Sequence, residues 1–92
     1  MEIITLFQAV QKLDISHEKC TVYAVKPWAE NSKAMILREF EGVPLEAGTL
    51  GLKYFLEVAI ANDFIQEWID HLDVVPSPQQ KCSRLIQHAM SH

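Results

Sequence analysis

Three acidic side chains are spaced along one segment of the chain so that they could bind a basic partner. Asp63, Glu67 and Asp70 follow one another at intervals of four and three residues, which places them on one side of a helix. No lysine or arginine lies between Ala59 and Asp73 to balance them. Like charges at this spacing repel mildly, and a basic protein would relieve the repulsion. The alternative is an ordinary solvated helix face.

The residue types needed for catalysis occur only in a weak combination. Glu67 and His71 are a carboxylate and an imidazole about one helical turn apart, a spacing at which the carboxylate could orient the ring. No nucleophile stands in a motif such as G-x-S-x-G, and neither cysteine has catalytic-type neighbours. We therefore predict no catalytic residue, favour a protein that is not an enzyme, and interpret Glu67 and His71 as a surface pair.

The two cysteines, Cys20 and Cys82, could bind a metal or form a disulfide. Together with His17 and His88 they would make a Cys₂His₂ set, but the spacing is not that of a zinc finger and C-x-x-C is absent. We predict instead that both are free thiols, buried as small hydrophobic residues. We expect neither a metal nor a cofactor.

Aromatic and aliphatic side chains could supply a contact with another protein. Trp28 follows Pro27 in a predicted turn, where an exposed indole is a candidate binding anchor, although it could equally cap one end of the core. Ile60 falls on the polar side of its helix and could form an exposed apolar patch with Phe55 or Tyr54. Such a patch is typical of an oligomer contact, and small chains whose strands are apolar on both faces often bury the second face against a copy of themselves, so we expect a homodimer.

The segment from Leu52 to Leu72 must position most of these residues. Its first part, residues 53–58, is rich in aromatic residues and favours a strand, whereas from Ala59 onward the apolar residues recur at helical spacing. The change of period predicts a strand that passes directly into an amphipathic helix. Trp68 lies on the apolar side of this helix and is predicted to be the largest core anchor, with the carboxylates facing water.

The elements before this segment follow from periodicity. A helix is predicted over residues 5–13, with Thr5 as its N-cap. Strands are predicted over residues 20–26 and 34–40, antiparallel to each other. Both faces of the first strand are apolar, which favours a central position in the sheet.

The last helix has the clearest start signal in the chain. Ser77 is predicted to be its N-cap, Pro78 its first residue, and Gln80 the partner of Ser77 in a capping box. Its predicted apolar face consists of Cys82, Leu85, Ile86, Ala89 and Met90. The order α-β-β-β-α-α predicts a single α+β domain over residues 1–92, with a small antiparallel sheet of about three strands and helices packed on it.

Composition excludes several classes of partner. The 92 residues carry a net charge of −4, which disfavours non-specific binding to nucleic acid or to anionic membranes. No apolar run is long enough to span a membrane, and the N-terminus lacks the basic region of a signal peptide. We expect a cytoplasmic protein, and its small size suggests a bacterial source.

Parts of the chain resemble a group of small bacterial proteins of unknown function. These are the proteins carried in integron gene cassettes or found beside toxin genes as immunity-like proteins. The resemblance covers residues 20–24 with Trp28, residues 42–46, and the stretch from Phe55 to Trp68. It implies a small α+β protein without a cofactor, and immunity proteins against nuclease toxins tend to be acidic binders.

The most favoured function is therefore a non-enzymatic protein-interaction module, immunity-like or an adaptor. It would bind a protein partner through Asp63, Glu67 and Asp70, with Trp28 as a further contact, and a basic protein would complement these carboxylates. The alternative is a small-molecule-binding protein or a minor hydrolase with a pocket near the loop from Gly42 to Gly48.

Overall fold

Four antiparallel strands and three helices make up the described part of the chain, which is residues 3–38 and 51–91 of a computed structural model. The strands form one sheet in the order β1-β3-β2-β4. The predicted α+β class and antiparallel sheet are confirmed, and the sheet has one short strand more than predicted. The elements are β1 (Ile4–Thr5), α1 (Leu6–Gln11), β2 (Cys20–Val25), β3 (Lys33–Arg38), β4 (Leu52–Glu57), α2 (Val58–Ile69) and α3 (Pro78–Met90).

The additional strand, β1, contains only two residues. Ile4 and Thr5 pair with Ala34 and Lys33 at the edge of the sheet, and α1 begins at the next residue. Two residues are too few to show a period-two pattern, so the sequence predicted only the helix. The Thr5 side chain caps α1 as predicted, and the Gln8 side chain completes a capping box by accepting a hydrogen bond from the Thr5 backbone N–H.

The central strand is β2, as its two apolar faces predicted, because it pairs with β3 on one side and β4 on the other. Successive side chains of a strand point to opposite faces of the sheet. Val22 and Ala24 join the main core, which contains the buried residues of the three helices. The alternate residues Tyr23 and Val25 contact a second apolar cluster, formed by Met35, Leu37 and Leu52.

The predicted passage from strand to helix is confirmed, since β4 ends at Glu57 and α2 begins at Val58 without an intervening residue. A β-bulge interrupts the pairing of β4 with β2. Val22 pairs with Leu56 but Tyr23 pairs with Tyr54, which leaves Phe55 as the extra residue. Phe55 and Leu56 are consequently both buried in the main core, although they are neighbours in a strand.

The prediction that Trp68 is the largest core anchor is wrong. Its side chain is only partly buried and does not belong to the main core. Helix α2 turns Val58, Ala61 and Ile65 towards the core. These residues are smaller than tryptophan and allow the helix to approach the sheet closely, so the indole lies at the margin of the buried face.

Helix α3 begins as predicted, with a capping box between Ser77 and Gln80 and a proline in its first turn. Cys82, Leu85 and Ala89 are buried. The prediction that Met90 belongs to this buried face is wrong, because Met90 is the last residue of the helix and is 69% exposed.

Candidate functional site

Trp28 lies in the connection between β2 and β3 and is held firmly in place. Its indole Nε1–H donates a hydrogen bond to the Ala24 carbonyl over 3.2 Å. Its ring meets the Phe55 ring edge-to-face, with centroids 5.0 Å apart. The Lys26 Nζ lies 4.8 Å from the centroid of the Trp28 ring, within reach of a cation–π interaction. Trp28 therefore caps one end of the core, which was one of its two predicted roles.

The part of Trp28 that is not buried lines two neighbouring surface clefts. Both clefts are also lined by Lys26 and Ala89. The first has a volume of 470 Å³ and includes Tyr54 and Ile60, and the second has a volume of 520 Å³ and includes Met90. Because Trp28 belongs to both, it lies between Ile60 on one side and Met90 on the other.

We call Trp28, Tyr54, Ile60 and Met90 the Trp28 patch. Tyr54 is 51% exposed, Ile60 42% and Met90 69%, while Trp28 is partly buried. These four side chains come from β4, α2, α3 and the β2–β3 connection, so only the fold brings them together. An exposed cluster of aromatic and aliphatic side chains is typical of a contact surface.

The predicted contact residues Trp28, Phe55 and Ile60 do line one cleft, but not all of them are accessible. Ile60 is exposed as predicted. Phe55 is only 3% exposed, because the bulge turns it into the core, so the expected exposure of Phe55 is wrong. Tyr54, its neighbour and the other predicted partner of Ile60, is the exposed residue. The pKa of the Tyr54 hydroxyl is raised by partial burial and by the negative charge of Glu57.

We call Asp63, Glu67 and Asp70 the acidic stripe. All three are exposed, as their spacing predicted. None of them forms a salt bridge with another residue of the two described ranges, although Asp70 Oδ1 accepts a hydrogen bond from Gln66 Nε2 over 2.9 Å. Ile60 precedes Asp63 by three residues on the same helix, so the stripe begins beside the Trp28 patch.

Helix α3 adds His88 and Arg84, whose side chains lie against aromatic rings of α2. The His88 ring stacks on Phe64 with centroids 4.3 Å apart, and His88 also lines the cleft of Tyr54 and Ile60. The Arg84 guanidinium lies 5.8 Å from the Phe64 ring and 5.7 Å from the Trp68 ring. The predicted apolar face of α3 did not include Arg84 or His88, and nothing in the sequence indicated their aromatic neighbours.

The arrangement of His71, Glu67 and the two cysteines does not favour catalysis. His71 Nδ1 lies 2.8 Å from the main-chain oxygen of Glu67, so the ring meets the carbonyl rather than the carboxylate. Cys20 and Cys82 are free and buried, which confirms that prediction. Burial, and secondarily the negative charge of Glu30, raises the pKa of the Cys82 thiol to about 11. Such a thiol is almost entirely protonated at neutral pH and is a poor nucleophile.

The described residues form no metal site, and the loop predicted to border a ligand pocket is not among them. Among the residues that the structure describes, no three His, Cys, Asp or Glu side chains are grouped so that they could hold a metal ion. The loop from Gly42 to Gly48 lies outside the described residues. A further groove of 530 Å³ is lined by residues of α1, α2 and α3, including Asp63 and Lys81. In this groove Asn62 Nδ2 donates a hydrogen bond to the Leu13 carbonyl over 3.0 Å.

Within residues 3–38 and 51–91, no helix combines the length and the apolar composition that crossing a membrane requires. Comparisons of the chain with models of protein families, with curated proteins and with solved structures gave no match.

Proposed function

We propose that this protein is a non-enzymatic protein-interaction module that binds a basic segment of a partner protein through the acidic stripe. One observation carries the proposal: three exposed carboxylates that form no salt bridge within the described residues begin beside an exposed apolar patch. This arrangement has the two parts of a protein interface, which are an apolar centre and a charged margin.

The carboxylates and the patch would contribute in different ways. Exposed charges mainly accelerate and orient the encounter with an oppositely charged partner, and each contact adds little affinity. Affinity comes from a few large side chains that lose water on binding, among which tryptophan and tyrosine are frequent. Trp28 is suited to this role because its hydrogen bond to Ala24 and its packing on Phe55 fix it before a partner arrives.

We also propose that the protein forms a homodimer in the cytoplasm of a bacterial cell and that it is of the immunity-like or integron-cassette kind. Two buried free thiols suit a reducing compartment. An acidic binding surface suits an inhibitor of a basic toxin. A small-molecule-binding protein or minor hydrolase is the weaker proposal. Such a function would place Tyr54, Glu67 or His71 in a cavity, and only Tyr54 lines one of the clefts described above.

Affinity capture from the source cell tests the acidic stripe. We expect Glu67→Lys to remove, or to weaken by about tenfold, at least one protein that the wild-type chain captures. Glu18→Lys is the matched control, because it makes the same charge change at another exposed glutamate, outside the acidic stripe. The proposal fails if every protein captured by the wild type is retained equally by both variants.

The salt dependence of binding to a captured partner gives a second measurement. Contacts between exposed charges weaken as ionic strength rises. We expect the association rate of the wild type to fall with added salt, and the rate for Glu67→Lys to be lower and less sensitive to salt.

A further inference from the structure

We propose that the groove between α1, α2 and α3 binds one arginine or lysine side chain of the partner protein, with its cation at the end of the groove formed by Asp14 and Asp63. This occupant rests on the proposed function, in which the partner is basic. The groove narrows the recognised part of that partner to a single basic residue with apolar or acidic neighbours.

Two carboxylates form one end of the groove. The hydrogen bond of 3.0 Å from Asn62 Nδ2 to the Leu13 carbonyl holds the residues after α1 beside the start of α2. Asp14 and Asp63, which follow these two residues in the chain, are exposed and line the groove. Neither forms a salt bridge with a residue of the ranges 3–38 and 51–91. A cation at this end is therefore attracted by carboxylates from two separate elements.

A lysine lies towards the other end of the groove. The His88 ring stacks on Phe64, near the middle of α2. The Arg84 guanidinium, one turn earlier in α3, lies 5.7 Å from the ring of Trp68, one turn later in α2. The two helices are therefore antiparallel, and Lys81 lines the groove beside the end of α2. Since the carboxylates lie beside the start of this helix, the groove is negative at one end and positive on the order of 10 Å away.

Apolar side chains lie between the charged ends. Val10 and Ile65 are buried, Ile69 is partly buried, and all three line the groove. The volume of 530 Å³ is within the range of about 300–1,000 Å³ that is typical of ligand sites. Arginine and lysine lay a hydrocarbon stem along apolar surface and keep the charged head in a polar setting. The stem thus matches the apolar residues of the groove, and the head matches its acidic end.

The groove and the Trp28 patch lie on opposite sides of the acidic stripe. At about 100° per residue around α2, Asn62 and Gln66 fall on one side of Asp63 and Ile60 falls on the other. Asn62 and Gln66 line the groove, whereas Ile60 lines a cleft of the patch. A partner that lies across the stripe therefore reaches both surfaces, and neither contact excludes the other.

Lys81 limits which basic segments fit the groove. A second cation of the partner lying farther along the groove would approach the Lys81 ammonium and be repelled, whereas a carboxylate there would be attracted. Repulsive groups of this kind allow a protein to discriminate between partners. A basic residue with apolar or acidic neighbours is consequently preferred over a run of basic residues.

Butylguanidinium, which has a head and an apolar stem like those of an arginine side chain, is the probe that tests the groove. Butylurea is its uncharged counterpart of nearly the same shape. As butylguanidinium is added to the full chain, we expect the backbone amide signals of residues 13–14, 62–66 and 69 to shift saturably in NMR spectra, with a Kd of about 1–10 mM. Butylurea should bind about fivefold more weakly, because it has no charge for the carboxylates to attract.

Removal of single charges tests the two ends. Asp14→Asn and Asp63→Asn should each weaken butylguanidinium binding by about threefold, because each removes an attractive charge. Lys81→Gln should strengthen the binding by about twofold, because it removes a repulsive one. Asp73→Asn is the matched control, since it removes an exposed carboxylate outside the groove, and it should leave the binding unchanged. All four side chains are at least partly exposed, so the variants should fold, which circular dichroism checks.

Three results would overturn the proposed occupant: equal binding of butylguanidinium and butylurea, signals that shift at the Trp28 patch instead of the groove, or weaker binding by Lys81→Gln. Failure here is distinguishable from failure of the proposed function. A captured partner that depends on Glu67 but is retained in full by Asp14→Lys contradicts only the groove. Butylguanidinium binding in the groove of a chain whose captured proteins are all indifferent to Glu67→Lys contradicts only the proposed function.

Discussion

Replacing Phe55 by alanine should destabilise the protein strongly. In a regular strand the side chains of Phe55 and Leu56 would point to opposite faces of the sheet, and only the bulge buries both in the main core. Phe55 is 3% exposed in the main core and packs edge-to-face on Trp28. Removing a buried phenylalanine side chain typically costs about 3–5 kcal/mol, which includes the cavity that it leaves. A chain of 92 residues has a total stability of about 5–14 kcal/mol. Phe55→Ala should therefore remove a large share of the stability.

The matched control is the preceding residue. Tyr54 is 51% exposed, and its ring contacts Tyr23 with centroids 6.4 Å apart, so Tyr54→Ala should cost only about 1 kcal/mol. Urea unfolding followed by circular dichroism gives both values. Measurement at two protein concentrations separates any contribution from self-association, because that contribution shifts the midpoint with concentration.

A milder variant keeps the test usable if Phe55→Ala does not fold. Phe55→Leu should cost about 1–2 kcal/mol. A double-mutant cycle of Phe55→Leu with Trp28→Leu should show a coupling of about 0.5–1.5 kcal/mol from the aromatic contact. Equal costs for Phe55→Ala and Tyr54→Ala would refute the bulge and, with it, the placement of Tyr54 in the Trp28 patch.

Three further changes test other parts of the structure. In the native protein the buried Cys82 thiol should not react with a thiol reagent, and it should react once the chain is unfolded in urea. Its pKa is raised from 9.0 to about 11 in the folded chain, so between these values the unfolded chain has lost the proton and the folded chain retains it. The free energy of unfolding should thus fall across this pH window, by an amount on the order of 2 kcal/mol, and Cys82→Ala should reduce the fall. Ser77→Ala removes the N-cap of α3 and should cost about 1 kcal/mol in urea unfolding, whereas Ser83→Ala, at an exposed position within the helix, should cost little. Gly51→Ala should cost about 1–2 kcal/mol by the same measurement, because the backbone there has a φ of 79° although the added methyl group meets no neighbour.

The local signals in the sequence predicted the elements well. Capping at Thr5 and Ser77, the strand with two apolar faces, and the change of period near Val58 were all confirmed. Each of these depends on residues that are close in the sequence, and such residues interact in the same way in many folds. The two-residue strand β1 was missed because its pairing with β3 joins distant parts of the chain.

Errors in the predicted burial arose where periodicity alone was used to orient a side chain. Helical spacing placed Trp68 and Met90 on apolar faces, but both lie at margins, where the helix leaves the core. Alternation along β4 could not show the bulge, because the bulge depends on how β4 pairs with β2. The exposure of the acidic stripe was predictable, since unpaired carboxylates rarely enter a core.

The sequence by itself determined the α+β class, the N-caps at Thr5 and Ser77, the buried free cysteines and an exposed row of carboxylates on α2. Only the tertiary structure decided that Trp28, Tyr54, Ile60 and Met90 meet on one surface beside that row. The physical reason is that periodicity and capping are interactions between neighbours along the chain. A patch built from two helices, a strand and a connection instead depends on strand register and on which end of the core each element covers.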